Sequence, residues 1–528
     1  MRGDRYSIGR AARRRWERGA APPPSPQPLA PGAAPTAFAS PPALHYHIPA
    51  GSTVATQTIA AQPAAVQAAT AVSDLRGLAH ATNALGSGPL VMVDALGRKF
   101  LRFTNTAGTG TNGDGPNGPN LLRVGTAFTA SQRAVACFMV GRHHKASTTT
   151  FFSLGVAGAS PPNTGGGVLR TAALASGGSV ALFGAGSRPA TGASANVAAL
   201  YPGSQLQVLG TSSRSVSGTG ANGGQRLSIN LHAGNVDRSS AALSGVGATI
   251  GSYAFAPGSS DHFDLYEMVV FTGELTDAQH DAVAAALVAN WSIPAVTDQL
   301  VLEGDSITAG IPDAGGAAGT GVISGGSLGM LLTEPGAELI PPTCRVINQG
   351  VSGNAVANLV ARRDSTGAVF DAGRLAAGRN IVAVQIGRND WTSAPASGTA
   401  TYQAIVAMLN TAATGYLQRG WEVVQAINIA ASASVQGAND VQRAALRDPQ
   451  FLVDTLSGAG QAHAGKVTRL ELALIASGGT DVFKDAAAAA TDAAVYQGAS
   501  KTHPTRDVGT PLMATGGDTP HHGYGAIL

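Results

Sequence analysis

Leu300-Val301-Leu302-Glu303-Gly304-Asp305-Ser306-Ile307-Thr308-Ala309-Gly310 is the stretch on which the reading of this 528-residue chain turns. An apolar run ends in a glycine, an aspartate and a serine. A strand buried in a parallel sheet reads as a continuous apolar run, and an open α/β sheet places its chemistry at the carboxyl ends of its strands. A serine delivered there, between an aspartate and a small turn-prone stretch, is placed to be a nucleophile. The same letters also fit a strand followed by an ordinary Asp-Ser turn, because both side chains bond readily to nearby backbone. The segments downstream decide between the two.

Arg345-Val346-Ile347-Asn348 runs into the glycine-containing loop Gln349-Gly350-Val351-Ser352-Gly353-Asn354, and Asn380 to Ile386 runs into Gly387-Arg388-Asn389-Asp390. Acyl transfer needs a nucleophile and donors aimed at the oxyanion that develops on the carbonyl oxygen. A backbone N–H at Gly353 and the amide of Asn389 supply such donors from neighbouring strand ends. In this order the three blocks, GDSIT, NQGVSGN and GRND, resemble the SGNH (GDSL-type) hydrolase family over about residues 297 to 528. The resemblance implies an α/β three-layer domain with a parallel sheet and no cofactor. It implies Ser306 as nucleophile, and an oxyanion hole of the Ser306 N–H, the Gly353 N–H and the Asn389 side chain. Asp305 and Asp390 would shape the turn and the donor loop.

The family's fourth block, Asp-x-x-His, supplies the base and the carboxylate that orients it, and here this sequence departs from the pattern. Lys501-Thr502-His503-Pro504-Thr505 carries the His-Pro-Thr part but has Ser500 where the aspartate belongs. Asp518-Thr519-Pro520-His521 has the Asp-to-His spacing, with His522 in place of the proline and Gly523-Tyr524 following. An insertion over roughly 506 to 517 would leave His503 as base, with Asp518 folding back to orient it; His521 is the competing assignment. A rival nucleophile signal, Gly325-Gly326-Ser327-Leu328-Gly329, matches the G-x-S-x-G elbow, which needs a strand directly before it. It follows the glycine-rich stretch 315–326 in a chain of 69 glycines, and it reads as a chance match.

Hydrophobic residues make up 44% of the chain and charged residues 12%, low against the usual quarter, with Gly, Ala, Ser and Thr filling the gap. Cys137 and Cys344 sit in apolar runs and read as buried thiols, and no His/Cys cluster at ligand spacing implies a metal. Residues 1 to 18 carry seven arginines against Asp4 and Glu17, within a net charge of +3. Residues 1–43 read as a disordered basic Pro/Ala-rich arm, a solvated tail rather than a nucleic-acid contact, and a candidate attachment to a virion or other protein assembly. No apolar h-region follows the arginines and no apolar run reaches about 18 residues, so neither a signal peptide nor a membrane span is expected. The compartment stays open.

Residues 44–82 read as a connector. From 83 to 293, short β-type runs recur between turn clusters: Leu90–Val93, Lys99–Phe103, Ala134–Val140, Thr149–Leu154, Ser179–Phe183, Gln205–Leu209, Gln225–His232 and Phe263–Phe271. That texture indicates an all-β sandwich. At its end Thr276 and Gln279 form a capping box before a helix to Asn290 and a closing Trp291. This strand, capped helix and tryptophan resemble the end of concanavalin-like (LamG-type) sandwich domains, which implies a carbohydrate-binding or connecting role. His143 and His144 read as surface loop residues. After the linker Pro294–Thr297, domain 297–528 is expected to alternate strands 300–303, 344–348, 380–386, 421–429 and 467–475 with helices near 354–363, 400–418 and 438–455.

The expected function is a serine esterase, a deacetylase removing O-acyl groups from a carbohydrate through a Ser-His(-Asp) acyl-enzyme. A small-ester or lipid esterase is the alternative within that class. A structural or binding component of a phage tail or virion, with an active or degenerate hydrolase module, is the alternative outside it.

Overall fold

The computed structural model describes residues 42–51, 57–58, 71–72, 81–82, 89–104, 122–124, 135–143, 149–155, 167–173, 180–184, 203–213, 223–238, 247–251, 262–309, 328–351, 353–364, 374–411, 414–429, 434–451, 466–471, 504, 513–515 and 523–527. Five strands of the C-terminal half form one all-parallel sheet: Asp298–Gly304, Cys344–Asn348, Asn380–Gln385, Glu422–Ile427 and Val467–Glu471. In space the second strand comes first, followed by the first, third, fourth and fifth. Strand alternation sends neighbouring residues to opposite faces. Leu300, Leu302, Val346, Ile381 and Ala383 pack on one face with Leu328, Leu332, Met513 and Tyr524. Val301, Ile347, Val382 and Val384 pack on the other with Val356, Leu359, Ile405, Met408 and Leu446. Both faces of the sheet are therefore covered.

Helices Val356–Asp364, Ala396–Asn410 and Gln436–Arg447 supply the second of those faces. Two of them end earlier than the sequence pattern suggests. The helix expected to reach 418 stops at Asn410. Gly415 then turns so tightly that a Cβ there would stand 2.6 Å from the Leu409 carbonyl oxygen, and the turn tucks Tyr416 and Leu417 into the core. The helix expected to run to 455 ends at Arg447, because Asp448 precedes a proline and takes an extended conformation (ψ 135°).

The N-terminal half builds a nine-stranded and a seven-stranded sheet. Their pairings are antiparallel except Gln57–Thr58, which runs parallel to Met92–Val93. One core joins them: Leu101, Phe103, Cys137, Met139 and Leu265 from the first sheet meet Leu122, Phe151, Leu154, Leu169 and Ile250 from the second. The outer face of the nine-stranded sheet is closed by helix Asp277–Asn290, whose Thr276/Gln279 capping box is formed and whose buried stripe is His280, Val283, Ala284 and Leu287. The stretch read as a connector contributes Leu44–His47, paired with Glu267–Val270. The run read as one strand from Gln225 to His232 is a hairpin of Gly223–Ile229 and His232–Arg238, reversed where Asn230 takes φ +53°. His143, expected on a surface loop, ends strand Val135–His143 with 5% exposure, its ring edge-on to Phe151. Pairing of this strand with Phe263 and Asp264 carries it inside. His144 lies outside the described residues. Cys137 and Cys344 are free and buried, and burial pushes the Cys344 thiol up to about 12. Among the described residues no helix is long and apolar enough to cross a membrane.

Between helix Asp277–Asn290 and the outer face of the nine-stranded sheet, His280 bridges two serines, Nδ1 to Ser212 Oγ at 2.9 Å and Nε2 to Ser228 Oγ at 2.8 Å. Burial, reinforced by Arg226, lowers its pKa to about 4. The unfolded chain takes up a proton as pH falls through about 6.5 while the folded chain does not until about 4. Stability is therefore expected to fall across that window, by up to about 3 kcal/mol. Thermal midpoints of wild type and His280→Gln measured between pH 7 and 4 check this. A wild type that does not lose ground to the variant on acidification would contradict it.

Candidate active site

An open parallel sheet has a crevice where its strand order reverses, because the crossovers on either side leave in opposite directions. Here that point lies at strand Asp298–Gly304, flanked by Cys344–Asn348 on one edge and Asn380–Gln385 on the other. Leu302 is level with both Asn348 and Ala383, and Gly304 with Gln385. Strands lie about 4.8 Å apart, so the turns beyond these three ends open side by side. They carry Ser306, Gly353 and Asn389 respectively.

Gly304 makes the first turn. A Cβ there would meet Thr308 Oγ1 at 2.1 Å and the Gln385 carbonyl oxygen at 2.5 Å, so no side chain fits between the strand end and its neighbour. The chain then enters the short helix Ser306–Ala309. Asp305, 1% exposed, accepts the Ile307 N–H at 2.9 Å and fixes that entry. Ser306 is 8% exposed at the start of the helix.

The second turn is tied to the first. Gln349 N–H donates to the Leu302 carbonyl and Val351 N–H to that of Gly304. Asn348 spans both turns: its Oδ1 accepts the Gly350 N–H at 3.0 Å and its Nδ2 donates to the Thr308 carbonyl at 2.9 Å. Gly353 then takes φ +78° with open space where a Cβ would point.

The third turn begins at Gly387, whose φ of +120° a side chain would strain and whose Cβ would strike Thr401 and Gln442. Asn389 is exposed, and its Nδ2 donates to the Asn354 carbonyl at 2.8 Å. That bond occupies one amide hydrogen, fixes the plane of the amide, and leaves the geometry of the second defined. Asp390 accepts the Val356 N–H at 3.1 Å and so caps the helix that follows the second turn. Burial raises the Asp390 pKa, with the Val356 N–H opposing it. Trp391 Nε1 donates to Gln442 Oε1, whose own Nε2 returns to the Ile386 carbonyl.

The C-terminal end reaches the same place. Tyr524, 1% exposed, donates its hydroxyl to Gln385 Oε1 at 3.0 Å. Its pKa is raised by burial and by the charge of Asp305, so it stays a neutral donor. Asn348, Asn354 and Gln385 are the polar residues of this neighbourhood that the sequence reading did not single out. For Asn348 and Gln385 the signal was a polar residue at the end of an apolar run, which marks a strand's carboxyl end; Asn354 stands in the loop beyond. Within strand Asp298–Gly304, Glu303 pairs with Arg362, and burial pushes the Glu303 carboxyl up against the pull of that guanidinium.

Of the residues singled out in the sequence, Ser306, Gly353 and Asn389 stand on adjacent turns. His503, Asp518 and His521 lie outside the described residues, as does Ser327, although Pro504 beside His503 is buried. Among the described residues no group of three or more His, Cys, Asp or Glu is placed to hold a metal ion.

No family model matches the sequence, and no curated protein matches it. Among solved structures, the chain is similar to an alpha/beta hydrolase enzyme from the metagenome of Lake Arreo, Spain, with 20% identity over 42% of this chain and 94% of that one and a TM-score of 0.26. It is similar to an arabinofuranosidase complexed with arabinofuranosyl-alpha-1,2-xylobiose at 13% identity and TM-score 0.28, over 44% of this chain and 54% of that one. It is also similar to an acetylxylan esterase from Geobacillus stearothermophilus, with 16% identity over 42% of this chain and 94% of that one and a TM-score of 0.25. At these TM-scores the likeness assigns neither a fold nor an activity to this chain.

The two glycines of the site make contrasting demands. Gly304→Ala is expected to destabilise by about 2 kcal/mol or more, because the clash is with backbone that cannot move away. Gly353→Ala is expected to cost about 1 kcal/mol, for the left-handed conformation alone. Urea unfolding of both variants checks the order, and a Gly353 loss equal to or above that at Gly304 contradicts it.

Proposed function

We propose that this protein is a serine ester hydrolase of SGNH type with Ser306 as nucleophile. The observation that supports the reading most is the placement of Ser306 at the strand-order reversal, beside an Asn389 amide held in plane by the Asn354 carbonyl. Ser306 Oγ attacks the ester carbonyl while a histidine of the C-terminal segment, His503 or His521, takes its proton. The oxyanion is held by the Ser306 and Gly353 N–H groups and by Asn389 Nδ2. The histidine returns the proton to the leaving alcohol, and water, deprotonated by the same histidine, releases the acid from the acyl-enzyme. Asp518 orients the ring. No step calls for a cofactor. The substrate class is an O-acylated carbohydrate, on the ground that the two-sheet unit is read as a concanavalin-like domain of residues 83–293 joined to a hydrolase domain of residues 297–528. A small ester is the second candidate. The reading as a virion or tail component draws on residues 1–43, nearly all outside the described residues, on the low charge and on the β sandwich, and no structural observation favours it.

Ser306→Ala is expected to lower hydrolysis of p-nitrophenyl acetate roughly 10³-fold or more with the fold retained by circular dichroism. More than about a tenth of wild-type activity in that variant sinks the assignment, and Ser327→Ala serves as the control that stays active. His503→Ala and His521→Ala, assayed side by side, identify the base as the one whose loss matches Ser306→Ala.

Asn389→Ala is expected to lower kcat by roughly 10²–10³ with KM nearly unchanged, since the donor acts on charge that develops only in the transition state. An effect confined to KM would make Asn389 a substrate-binding residue instead.

A further inference from the structure

We infer that the antiparallel unit is a positioning part of the hydrolytic site, acting through edge strand Cys344–Asn348, with Gln205 and Arg142 as its positioning residues. The inference rests on the proposed role of the Gly353 and Asn389 side of the site.

Strand Cys344–Asn348 is the outer strand of the parallel sheet, so one row of its backbone groups has no sheet partner. The antiparallel unit supplies those partners at Val346. Ser204 N–H donates to the Val346 carbonyl at 2.7 Å, and the Val346 N–H donates to Gln205 Oε1 at 3.2 Å. The fit is made by missing side chains on both sides. A Cβ on Gly203 would stand 2.2 Å from Gln205 Oε1, and one on Gly329 would stand 2.6 Å from Ser204 Oγ. Gly336 admits Leu96 in the same way, with Leu96 Cγ 2.7 Å from where its Cβ would be.

Arg142 completes the contact. It is fully buried at the end of strand Val135–His143 and reaches across to the Met330 carbonyl, Thr333 Oγ1 and, at 2.7 Å, Glu334 Oε2. On its own side it binds the Ser204 carbonyl at 3.0 Å and Asp264 Oδ2 at 3.4 Å. One guanidinium therefore holds the Ser204 turn and the segment after helix Leu328–Leu332 together. Burial disfavours its charge, but Glu334 and Asp264 hold it protonated.

Val346 is two residues from Asn348, which binds both the Gly350 N–H and the Thr308 carbonyl. From there the loop runs to Asn354, whose carbonyl orients Asn389. The strand gripped by the antiparallel unit is thus the strand that carries the proposed oxyanion loop and braces the Ser306 helix. Edge protection alone would need only the Ser204 and Gln205 bonds; Arg142 adds a second attachment, at Met330, Thr333 and Glu334, and binds the carbonyl of the same Ser204 whose N–H holds Val346.

The test uses the full-length chain with Gln205→Ala, Arg142→Gln and Glu334→Gln. Amide hydrogen exchange by mass spectrometry is expected to quicken roughly tenfold or more over 346–351 while Glu422–Ile427 in the same sheet is unchanged. With p-nitrophenyl acetate, kcat is expected to fall roughly tenfold with KM within about twofold, because a small displacement of the donors acts on the transition state. If Arg142→Gln does not fold, Gln205→Ala and Glu334→Gln carry the same comparison. Exchange that quickens uniformly through the sheet, or kcat that stays at the wild-type value despite local quickening, overturns the inference and leaves edge protection. A wild-type chain with no esterase activity overturns the site reading itself, and the exchange pattern then still shows whether the two units are mechanically coupled.

Discussion

Strand Asp298–Gly304 is buried on both faces and hydrogen-bonded on both edges, and the place of every candidate group follows from it. Because it is paired in parallel on both sides, its neighbours end level with it, and their turns cannot avoid one another. The glycine at its end removes the one obstacle to a close turn beside Gln385. The polar side chains of the turns then bond across strands instead of to solvent: Asn348 to Thr308, Asn389 to Asn354, Asp390 to Val356. Such cross-bonds convert three loops into one preorganised surface, which is the condition for donors that need no reorganisation when charge develops.

Buried charge connects this site to the rest of the chain. Arg102 holds both oxygens of Asp264, which also faces Arg142, which in turn faces Glu334. Two guanidinium groups and two carboxylates alternate, so the cluster is balanced although three of its members have no exposed surface. A buried ion pair adds little net stability, because desolvation offsets the attraction, but removing one member leaves an uncompensated charge at a cost of about 3–5 kcal/mol. The cluster therefore acts more as a register mark than as a source of stability. It favours one way of docking the antiparallel unit on Glu334.

The parallel sheet was legible because its strands are apolar on both faces, and runs such as Val382-Ala383-Val384 leave little room for another reading. The turns were legible because glycines and polar residues close those runs. The helix ends at Asn410 and Arg447 were less so, since a helical pattern continues past the point where Gly415 and Pro449 redirect the chain. In the sandwich, His143 read as a surface loop residue because a polar, ionisable side chain normally marks solvent. It is buried by pairing with Phe263, and the neighbouring Arg142 is paired with Asp264 and Glu334, 122 and 192 residues away in the chain, which no local pattern can pair. The hairpin at Asn230 was missed because Asn-Leu is not a strong turn pair, and only the left-handed conformation of Asn230 reveals the reversal.

The same long-range contacts change what the connection between the two halves means. A tethered binding module needs a linker free to swing, of the kind that Gly/Ser-rich or Pro-rich composition provides. Here Trp291 is held by Glu267 through its indole N–H, and six residues later Thr297 N–H donates to the Thr343 carbonyl at 2.9 Å. Gly378 lies so close to the Thr297 carbonyl that a Cβ would overlap it at 1.7 Å. Both ends of Pro294–Thr297 are thus fixed to different units, and the span between them is too short to store much freedom. With Gln205 gripping Val346 and Arg142 gripping Met330, the antiparallel unit is set in one position on the strand before Gly350. The antiparallel unit is therefore held beside the candidate site by direct contacts and does not swing on a free linker.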